Sequence, residues 1–353
     1  MRFASDNWAG ASDAVIEALS AAARRGGPAY GGDPLTRAVE ARFAEVFERE
    51  VAVFFVTTGT AANALALSAY ARPGGVVFCH RGAHIAVDEA GATEFFGGGM
   101  KLALLEGVGG KIGPDALAEA MARLPEGVVH HGQPAAVSVT QLTELGAAYR
   151  PDEIAALARV AKGRGAALHM DGARFAGAVA GLGVSPADCT WRAGVDVLSF
   201  GGTKNGCVAA EAVIFFDPSR ARDFGFARQR AGQGVSKAWF LAAQFDAYLR
   251  EGHWLELARR ANAAAARLAA AVEASPRARL ALEPAANELF VVLPTALDAE
   301  LRAAGAVYHP WTLEGLPAEG RPGEGEVLVR LVTSFQTTTD EVDGFARLLG
   351  APG

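Results

Sequence analysis

The segment 195–206 reads V-D-V-L-S-F-G-G-T-K-N-G, an apolar run that ends in a glycine-rich turn around Lys204. The apolar run predicts a buried strand, and the glycines predict a sharp turn at its end. A lysine in such a turn, with no acidic residue between positions 199 and 206, can be held partly desolvated. Its neutral amine is then a nucleophile suited to Schiff-base chemistry. A solvent-facing loop lysine is the alternative, and it is the commoner one for a lysine considered alone.

A second strand-end motif precedes this lysine. H-M-D-G-A-R at 169–174 closes the short apolar run 167–170 and places Asp171 33 residues before Lys204. A carboxylate at the end of a strand faces the mouth of an α/β sheet, where ligands bind. Taken alone, the motif is explained equally well by an aspartate that caps a helix and by a surface Arg174.

The third feature is the turn T-T-G-T at 57–60, between the apolar run 51–56 and a helix predicted over 61–70. Backbone N–H groups at such a turn, with the helix dipole behind them, bind anions and especially phosphates. The sequence contains neither a G-x-G-x-x-G dinucleotide motif nor a G-K-[ST] phosphate loop. An ordinary strand-to-helix turn therefore remains an equal alternative for this feature alone.

Together the three features are more specific than each is separately. Their order along the chain is a phosphate-binding turn, an aspartate at a strand end and a lysine at a strand end. Pyridoxal phosphate (PLP) needs three contacts, one each for its phosphate, its pyridine nitrogen and its aldehyde. The combination predicts PLP as the cofactor.

Strand-like and helix-like segments alternate through the first two-thirds of the chain, which predicts a mostly parallel sheet covered by helices. After about residue 235 the pattern changes to an alanine-rich helical stretch, followed by two more strands and a last helix. We therefore predict an α/β fold with a large domain over 1–240, whose N-terminal segment contributes to the site, and a smaller α+β domain over 241–353. The strands are predicted at 51–56, 76–79, 136–140, 167–170, 195–200, 212–216, 289–293 and 327–332, and the helices at 61–70, 151–162, 239–274 and 340–349, with another beginning at Asp33–Pro34.

The composition excludes several classes of protein. The 353 residues carry a net charge of −6 and no basic run, which argues against binding to nucleic acid. Cys79, Cys189 and Cys207 form neither a disulfide framework nor a metal-binding pair, so we expect a reducing compartment and no metal. We see no secretory signal and no apolar run long enough to span a membrane, and we expect a cytoplasmic protein without membrane contact.

With these motifs in place, the chain resembles the low-specificity threonine aldolases, within the β-eliminating lyase/threonine aldolase family. The resemblance implies the PLP-dependent transferase-like fold, fold type I, of the aspartate aminotransferases. It covers essentially the whole chain in order. Besides the two strand-end motifs, it rests on S-D-N at 5–7, Y-G-G-D-P at 30–34, T-G-T-A-A-N at 58–63, H-I-x-x-x-E-x-G at 84–91, S-V-T-Q at 138–141 and A-G-Q-G-V-S-K at 231–237.

The resemblance implies a role for each matching residue around the cofactor. Lys204 resembles the Schiff-base lysine, and Asp171 resembles the partner of the pyridine nitrogen. Arg174 matches an arginine that bonds the phenolic oxygen of the ring. Gly59 and Thr60 match the phosphate cradle.

Other matching residues are expected at the substrate. His84 resembles the imidazole that stacks on the cofactor and is expected to be catalytic. Ser5 and Arg330 resemble the pair that holds the substrate carboxylate, for which the fork of an arginine is suited. His130 falls where the family has a histidine near the β-hydroxyl of the substrate. His131 beside it leaves that alignment open by one residue, and His84 or a bound water is the other alternative for the base.

The implied activity is a PLP-dependent aldolase that cleaves L-threonine, L-allo-threonine and related β-hydroxy-α-amino acids to glycine and an aldehyde. The alternative is another fold type I lyase or an aminotransferase, such as an enzyme of β-elimination or a phenylserine-type aldolase. Two departures bear on the side chain accepted: S-V-T-Q-L-T-E-L-G at 138–146 matches a bacterial subgroup, and Asn7 replaces the usual threonine.

A regulator built on this fold is a third possibility, but it would need a DNA-binding segment, and the sequence offers none. The resemblance also implies a homodimer or homotetramer with the active site at the subunit interface. The segment 228–237 is the candidate for reaching across to the neighbour. We expect the partners to be a small-molecule amino-acid substrate and further copies of the chain, with no nucleic acid and no membrane.

Overall fold

Seven strands form the central sheet of the computed structural model, which describes residues 1–350. They are β1 (Ala52–Val56), β2 (Gly75–His80), β3 (Lys101–Leu105), β4 (Gln133–Thr140), β5 (Ala167–Gly172), β6 (Val197–Gly201) and β7 (Glu211–Phe215). Their order across the sheet is β1-β7-β6-β5-β4-β2-β3. Every neighbouring pair is parallel except the two that involve β7. The predicted α/β fold with a mostly parallel sheet is confirmed.

The direction of the strands brings their ends together. β7 runs against both neighbours, because the connection 202–210 from β6 is too short to contain a crossover helix. β1 lies on the other side of β7 and so runs in the same direction as β6. The carboxyl ends of six strands therefore share one edge of the sheet. β7 begins at that edge with Glu211, which pairs with Val56 on one side and Gly201 on the other.

The helices of the large domain connect and cover these strands. The predicted helix start at Asp33–Pro34 is confirmed, since Asp33 Oδ1 accepts a hydrogen bond from the Thr36 amide at 2.9 Å. The helices are α1 (Asp13–Arg25), α2 (Pro34–Val46), α3 (Gly59–Ser68), α4 (His84–Val87), α5 (Ala92–Phe96), α6 (Pro114–Ala122), α7 (Pro151–Gly163), α8 (Phe175–Leu182), α9 (Phe224–Arg230) and α10 (Trp239–Leu249).

A long helix leads to a second, antiparallel sheet. Its elements are α11 (His253–Glu273), β8 (Arg279–Leu280), β9 (Glu288–Pro294), α12 (Thr295–Ala303), β10 (His309–Pro310), β11 (Glu326–Val332) and α13 (Thr339–Leu348). The four strands lie in the order β10-β11-β9-β8. The two strands and the last helix predicted in this region are present, and the predicted helical stretch 239–274 is broken into α10 and α11 at residues 250–252.

The helix α11 belongs to both hydrophobic cores. Trp254 and Leu257, in its first turns, pack into the core of the large sheet. Leu268 and Val272, further along, pack into the core of the small sheet. The change in packing thus occurs inside α11, after the division predicted at residue 240, and α10 packs with the large domain.

The first residues of the chain pack with the small sheet. Phe3 exchanges backbone hydrogen bonds with Val307 and Val332, each at 2.8 Å. Its buried ring meets Phe345 edge-on, with ring centres 5.3 Å apart. The segment that follows Phe3 is thereby led across the small sheet toward the edge of the large one.

Three further features of residues 1–350 bear on the class of protein. No helix there combines the length and the apolarity needed to cross a membrane. The three cysteines are buried and free of disulfides. In the same residues there is no cluster of three or more His, Cys, Asp or Glu side chains placed to hold a metal ion.

The core beside β6 gives a test of stability. Phe43 is fully buried, with its ring centre 5.2 Å from that of Phe200 and 5.3 Å from that of Phe245. We expect Phe43→Ala to lower the free energy of unfolding by about 3–5 kcal/mol, because the lost burial is joined by an unfilled cavity. Denaturant titration measures this, with Val129→Ala as the control, since the Val129 side chain is exposed. A loss from Phe43→Ala no larger than that of the control would contradict this packing.

Candidate active site

A cavity of about 270 Å³ lies at the edge of the sheet where the parallel strands end. Six of the nine predicted site residues line it. They are Lys204, Asp171, Arg174, His84, Gly59 and Thr60. A larger cavity of about 640 Å³, between α1, α2 and α10, contains none of the predicted residues.

Lys204 lies in a rigid turn just after β6. The neighbouring Asn205 donates hydrogen bonds to the hydroxyl of Tyr248 at 2.7 Å and to the carbonyl of Trp254 at 2.8 Å. Gly206 closes the turn with φ of 117°, a conformation that favours glycine, and a Cβ there would come within 2.7 Å of Leu257. The turn is therefore locked to α10 and α11, and Lys204 is held at the sheet edge.

Asp171 lies near the end of β5 and is buried. Its Oδ2 accepts a hydrogen bond from Asn63 Nδ2 at 2.8 Å, and its Oδ1 accepts one from the Ala173 amide at 3.0 Å. Asn63 belongs to the motif T-G-T-A-A-N, but the sequence predicted no role for it. The structure shows that it is a hydrogen-bond partner of Asp171. The two hydrogen bonds fix the orientation of the Asp171 carboxylate.

His84 begins the short helix α4 beside Asp171. Its Nδ1 lies 2.8 Å from Oε1 of Glu89, and the same oxygen accepts a hydrogen bond from Asn63 at 2.8 Å. The hydrogen bond to Glu89 raises the pKa of His84 above its ordinary value, and burial raises the pKa of Glu89. His84, Glu89, Asn63 and Asp171 thus form one continuous hydrogen-bonded chain along the cavity.

Arg174 is held by two buried carboxylates. Its guanidinium donates a bidentate pair of hydrogen bonds to Asp6, from Nε to Oδ2 at 2.8 Å and from Nη2 to Oδ1 at 3.0 Å. Nη2 also lies 3.4 Å from Oε1 of Glu288. Burial alone would raise the pKa of Asp6, but the charges of Arg174 and Lys204 hold it below its usual value. Arg174 is therefore positioned by this chain's own acids, and its contact with the phenolic oxygen of PLP stays a prediction.

Ser5 and Arg330 lie outside the lining of the cavity. The Ser5 hydroxyl accepts a hydrogen bond from the amide of Asn7 at 3.1 Å, and Asn7 itself lines the cavity. Arg330 stacks over Trp311 at 3.9 Å, with Nη1 3.7 Å from Glu288. Because Glu288 also contacts Arg174, Arg330 is connected to the site through a shared carboxylate.

The structure places His130 away from the cavity of its own chain. This residue lies in the exposed turn before β4, where Gln133 pairs with Gly75 at the starting ends of two parallel strands. The cavity lies at the opposite end of β4, about 25 Å away over eight residues. The same distance separates His131 from the cavity of its own chain. A role for either histidine would therefore need a neighbouring copy, and it stays a prediction.

Two acidic residues of the cavity had no predicted role. Glu144 follows β4 within S-V-T-Q-L-T-E-L-G, and its Oε1 accepts a hydrogen bond from the His84 amide at 3.3 Å. Glu211 begins β7 and accepts one from the Gly202 amide at 3.3 Å. Burial raises the pKa of Glu211 to about 7. Glu144 lies within a motif recognised in the sequence, so that motif could have identified it. Glu211 belongs to no motif and could not have been found in this way.

The family profile described as beta-eliminating lyase matches residues 2–295 of the chain. Two low specificity L-threonine aldolases, from Pseudomonas aeruginosa and from a Pseudomonas species, are each 41% identical over 314 residues, covering 89% of this chain and 90% of each relative.

Solved structures agree in fold. A threonine aldolase from Leishmania major superposes with a TM-score of 0.90 at 26% identity, over 99% of this chain and 98% of that one. A serine palmitoyltransferase from Sphingomonas wittichii, at 16% identity and a TM-score of 0.72 over 99% of this chain and 86% of that one, shares the fold alone. The extent of the sequence match, together with the strand-end lysine and aspartate in one cavity, shows that the chain belongs to the beta-eliminating lyase family.

Proposed function

We propose that the chain is a PLP-dependent aldehyde-lyase, a low-specificity L-threonine aldolase that cleaves β-hydroxy-α-amino acids to glycine and an aldehyde. The observation that carries the proposal is the meeting of Lys204 and Asp171 in one cavity at the sheet edge. The aldolases that are 41% identical over most of the chain support the reaction.

The residues present fit PLP. The cavity offers an amine at Lys204, a buried carboxylate at Asp171 and the N-terminal end of α3. A Cβ added at Gly59 would meet nothing within 4 Å, so space for an anion lies beside the free amides of that helix. Lys204 would hold the aldehyde, Asp171 the ring nitrogen, and Gly59 with Thr60 the phosphate.

When bound, PLP supplies an electron-withdrawing ring that stabilises negative charge at Cα of the amino acid. The protein's part is to hold the substrate so that the Cα–Cβ bond is the one that breaks. Arg174 and Arg330 are the cations beside the cavity, and the buried carboxylates of Asp6 and Glu288 fix their positions. We assign the substrate carboxylate to Arg330. The hydroxyl of Ser5 accepts the amide of Asn7 and so helps to hold Asn7 at the cavity.

We infer that the chain forms a homodimer or homotetramer. Exposed apolar side chains lie on the elements around α3, at Val87 of α4, Phe95 of α5 and Phe226 of α9. Such side chains on neighbouring elements favour an interface between copies. We also place the protein in the cytoplasm, a proposal that the buried free cysteines support.

The segment 228–237 contributes to its own chain as well. Gln233 Oε1 accepts hydrogen bonds from the amide of Thr57 at 3.0 Å and from its hydroxyl at 2.9 Å. Arg228 lies over the ring of Phe54 at 5.6 Å. The exposed Arg230 and Lys237 are therefore the residues of the segment that we expect to reach a neighbour.

Lys204 gives the most direct test of the cofactor assignment. The purified protein should be yellow, and borohydride reduction should attach the cofactor to the peptide that contains Lys204, because its amine is the nucleophile. Mass spectrometry of the digested protein identifies the peptide. The other lysines are Lys101, Lys111, Lys162 and Lys237. Labelling of any of them in place of Lys204 would refute the assignment.

Arg330 tests the assignment of the substrate carboxylate. Loss of a charged hydrogen bond costs about 1.5–3 kcal/mol, so Arg330→Ala should raise the dissociation constant of glycine about ten- to a hundredfold. Calorimetric titration measures this, and cofactor absorption should be unchanged. Arg330→Lys is the matched control, since it keeps the charge and loses the planar guanidinium. Its dissociation constant for glycine should lie between those of the wild type and Arg330→Ala. Loss of the cofactor with normal glycine binding would instead assign Arg330 to the phosphate.

A further inference from the structure

Cleavage of the Cα–Cβ bond needs a group that accepts the proton of the β-hydroxyl. His130, the predicted base, lies at the opposite edge of the sheet. Within this chain, the candidates are the ionisable side chains that line the cavity. These are Lys204, Asp171, Arg174, His84, Glu144 and Glu211.

Four of the six already have defined partners or roles. Arg174 is bound to Asp6, and Asp171 is bound to Asn63 and to the amide of residue 173. Glu211 accepts hydrogen bonds from Gly202 and from both the side chain and the amide of Thr203, so it is committed to the turn that holds Lys204. Lys204 itself is assigned to the cofactor. His84 and Glu144 remain.

His84 is set aside because the resemblance gives it another place. Its Nδ1 is bound to the buried Glu89 at 2.8 Å, which fixes the orientation of the imidazole. His84 is suited instead to a position against the cofactor, as its motif implies.

Glu144 presents an oxygen to the cavity. Its Oε1 accepts the His84 amide at 3.3 Å. Within residues 1–350 its Oε2 makes no hydrogen bond, and it is not among the atoms sealed from solvent. The carboxylate therefore has one oxygen anchored and one oxygen free.

The loop that carries Glu144 is held at both ends. The Gln141 side chain accepts from the amide of Tyr149 and donates to its carbonyl, each at 2.8 Å. The Thr143 hydroxyl donates to the carbonyl of Gly109 at 2.7 Å. A loop fixed in this way can keep a carboxylate in one position against a substrate.

The charges around Glu144 make its carboxylate more basic. Burial raises its pKa, and the charges of Asp171 and Glu288 act in the same direction, against Lys204 and Arg174. A carboxylate whose pKa moves toward neutrality is a better general base than an ordinary glutamate.

We propose that Glu144 is a catalytic residue, the general base that takes the proton of the β-hydroxyl; this rests on the aldolase function proposed above. The O–H bond breaks, its proton passes to Oε2 of Glu144, and its electron pair forms the C=O bond of the aldehyde. The Cα–Cβ bond breaks with its electron pair left at Cα, and a proton added there gives glycine. One proton is lost from oxygen and one is gained at carbon, so the reaction is balanced.

The test compares the reaction that needs this base with ligand binding that does not. We expect Glu144→Gln to lower the rate of aldehyde release from L-threonine by about 10²–10⁴-fold, a general-base effect. Glycine has no β-hydroxyl, so its dissociation constant by calorimetry should stay within about twofold of the wild type, well under 1 kcal/mol. Glu144→Asp, which keeps a carboxylate, should recover part of the rate. His130→Phe tests the rival assignment, a base from a neighbouring copy, which predicts a comparable loss of rate for that variant. Glu119→Gln is the control and should leave aldehyde release unchanged, because the Glu119 side chain is exposed and pairs only with Arg123.

Several results would overturn the proposal. One is a Glu144→Gln variant that releases aldehyde at the wild-type rate. Another is a variant that weakens glycine binding as much as it slows cleavage, which would make Glu144 a support for His84. Loss of rate in His130→Phe would assign the base to a neighbouring copy. A wild-type protein that releases ammonia and a keto acid in place of an aldehyde would instead refute the aldolase function itself.

Discussion

One amide group connects the two carboxylates on which the site depends. Nδ2 of Asn63 donates to Asp171 and to Glu89, each at 2.8 Å, and Glu89 in turn holds His84. The amide of Asn63 and the carboxylates of Asp171 and Glu89 are buried. An unpaired buried polar group costs on the order of 1–3 kcal/mol. Asn63 is carried by α3, whose first residues form the turn predicted to bind the phosphate. The helix that would hold the phosphate therefore also sets the positions of the aspartate and the histidine.

A second polar cluster joins the two sheets. Arg174 follows β5 of the large sheet, Glu288 begins β9 of the small sheet, and Asp6 comes from the N-terminal segment that Phe3 anchors. Breaking a buried ion pair is strongly destabilising, because it leaves an uncompensated charge. The cluster consequently fixes the small sheet, and with it Arg330, relative to the cavity. Neither sheet alone positions these cations.

The two arginines and Glu288 show how burial and charge act together. Burial raises the pKa of Glu288, and the charges of Arg174 and Arg330 oppose that change. Both carboxylate oxygens of Glu288 lack a well-formed hydrogen bond, although Arg174 lies 3.4 Å and Arg330 3.7 Å from Oε1. Arg174 is also hydrogen-bonded to Asp6, whereas Arg330 is held near Glu288 by charge more than by hydrogen bonding. Arg330 therefore remains available to a second anion, such as the proposed substrate carboxylate.

Local sequence was enough to predict eight of the eleven described strands, the helix cap at Asp33, and the turns that end β5 and β6, because periodicity and glycine act over a few residues. It was also enough to place Lys204 and Asp171 at one edge, since parallel strands end together. Only the tertiary structure decided which charges meet. Nothing local pairs Asn63 with Glu89 or bonds Glu144 to the His84 amide. Those outcomes depend on the order of strands across the sheet and on contacts between residues distant in the chain.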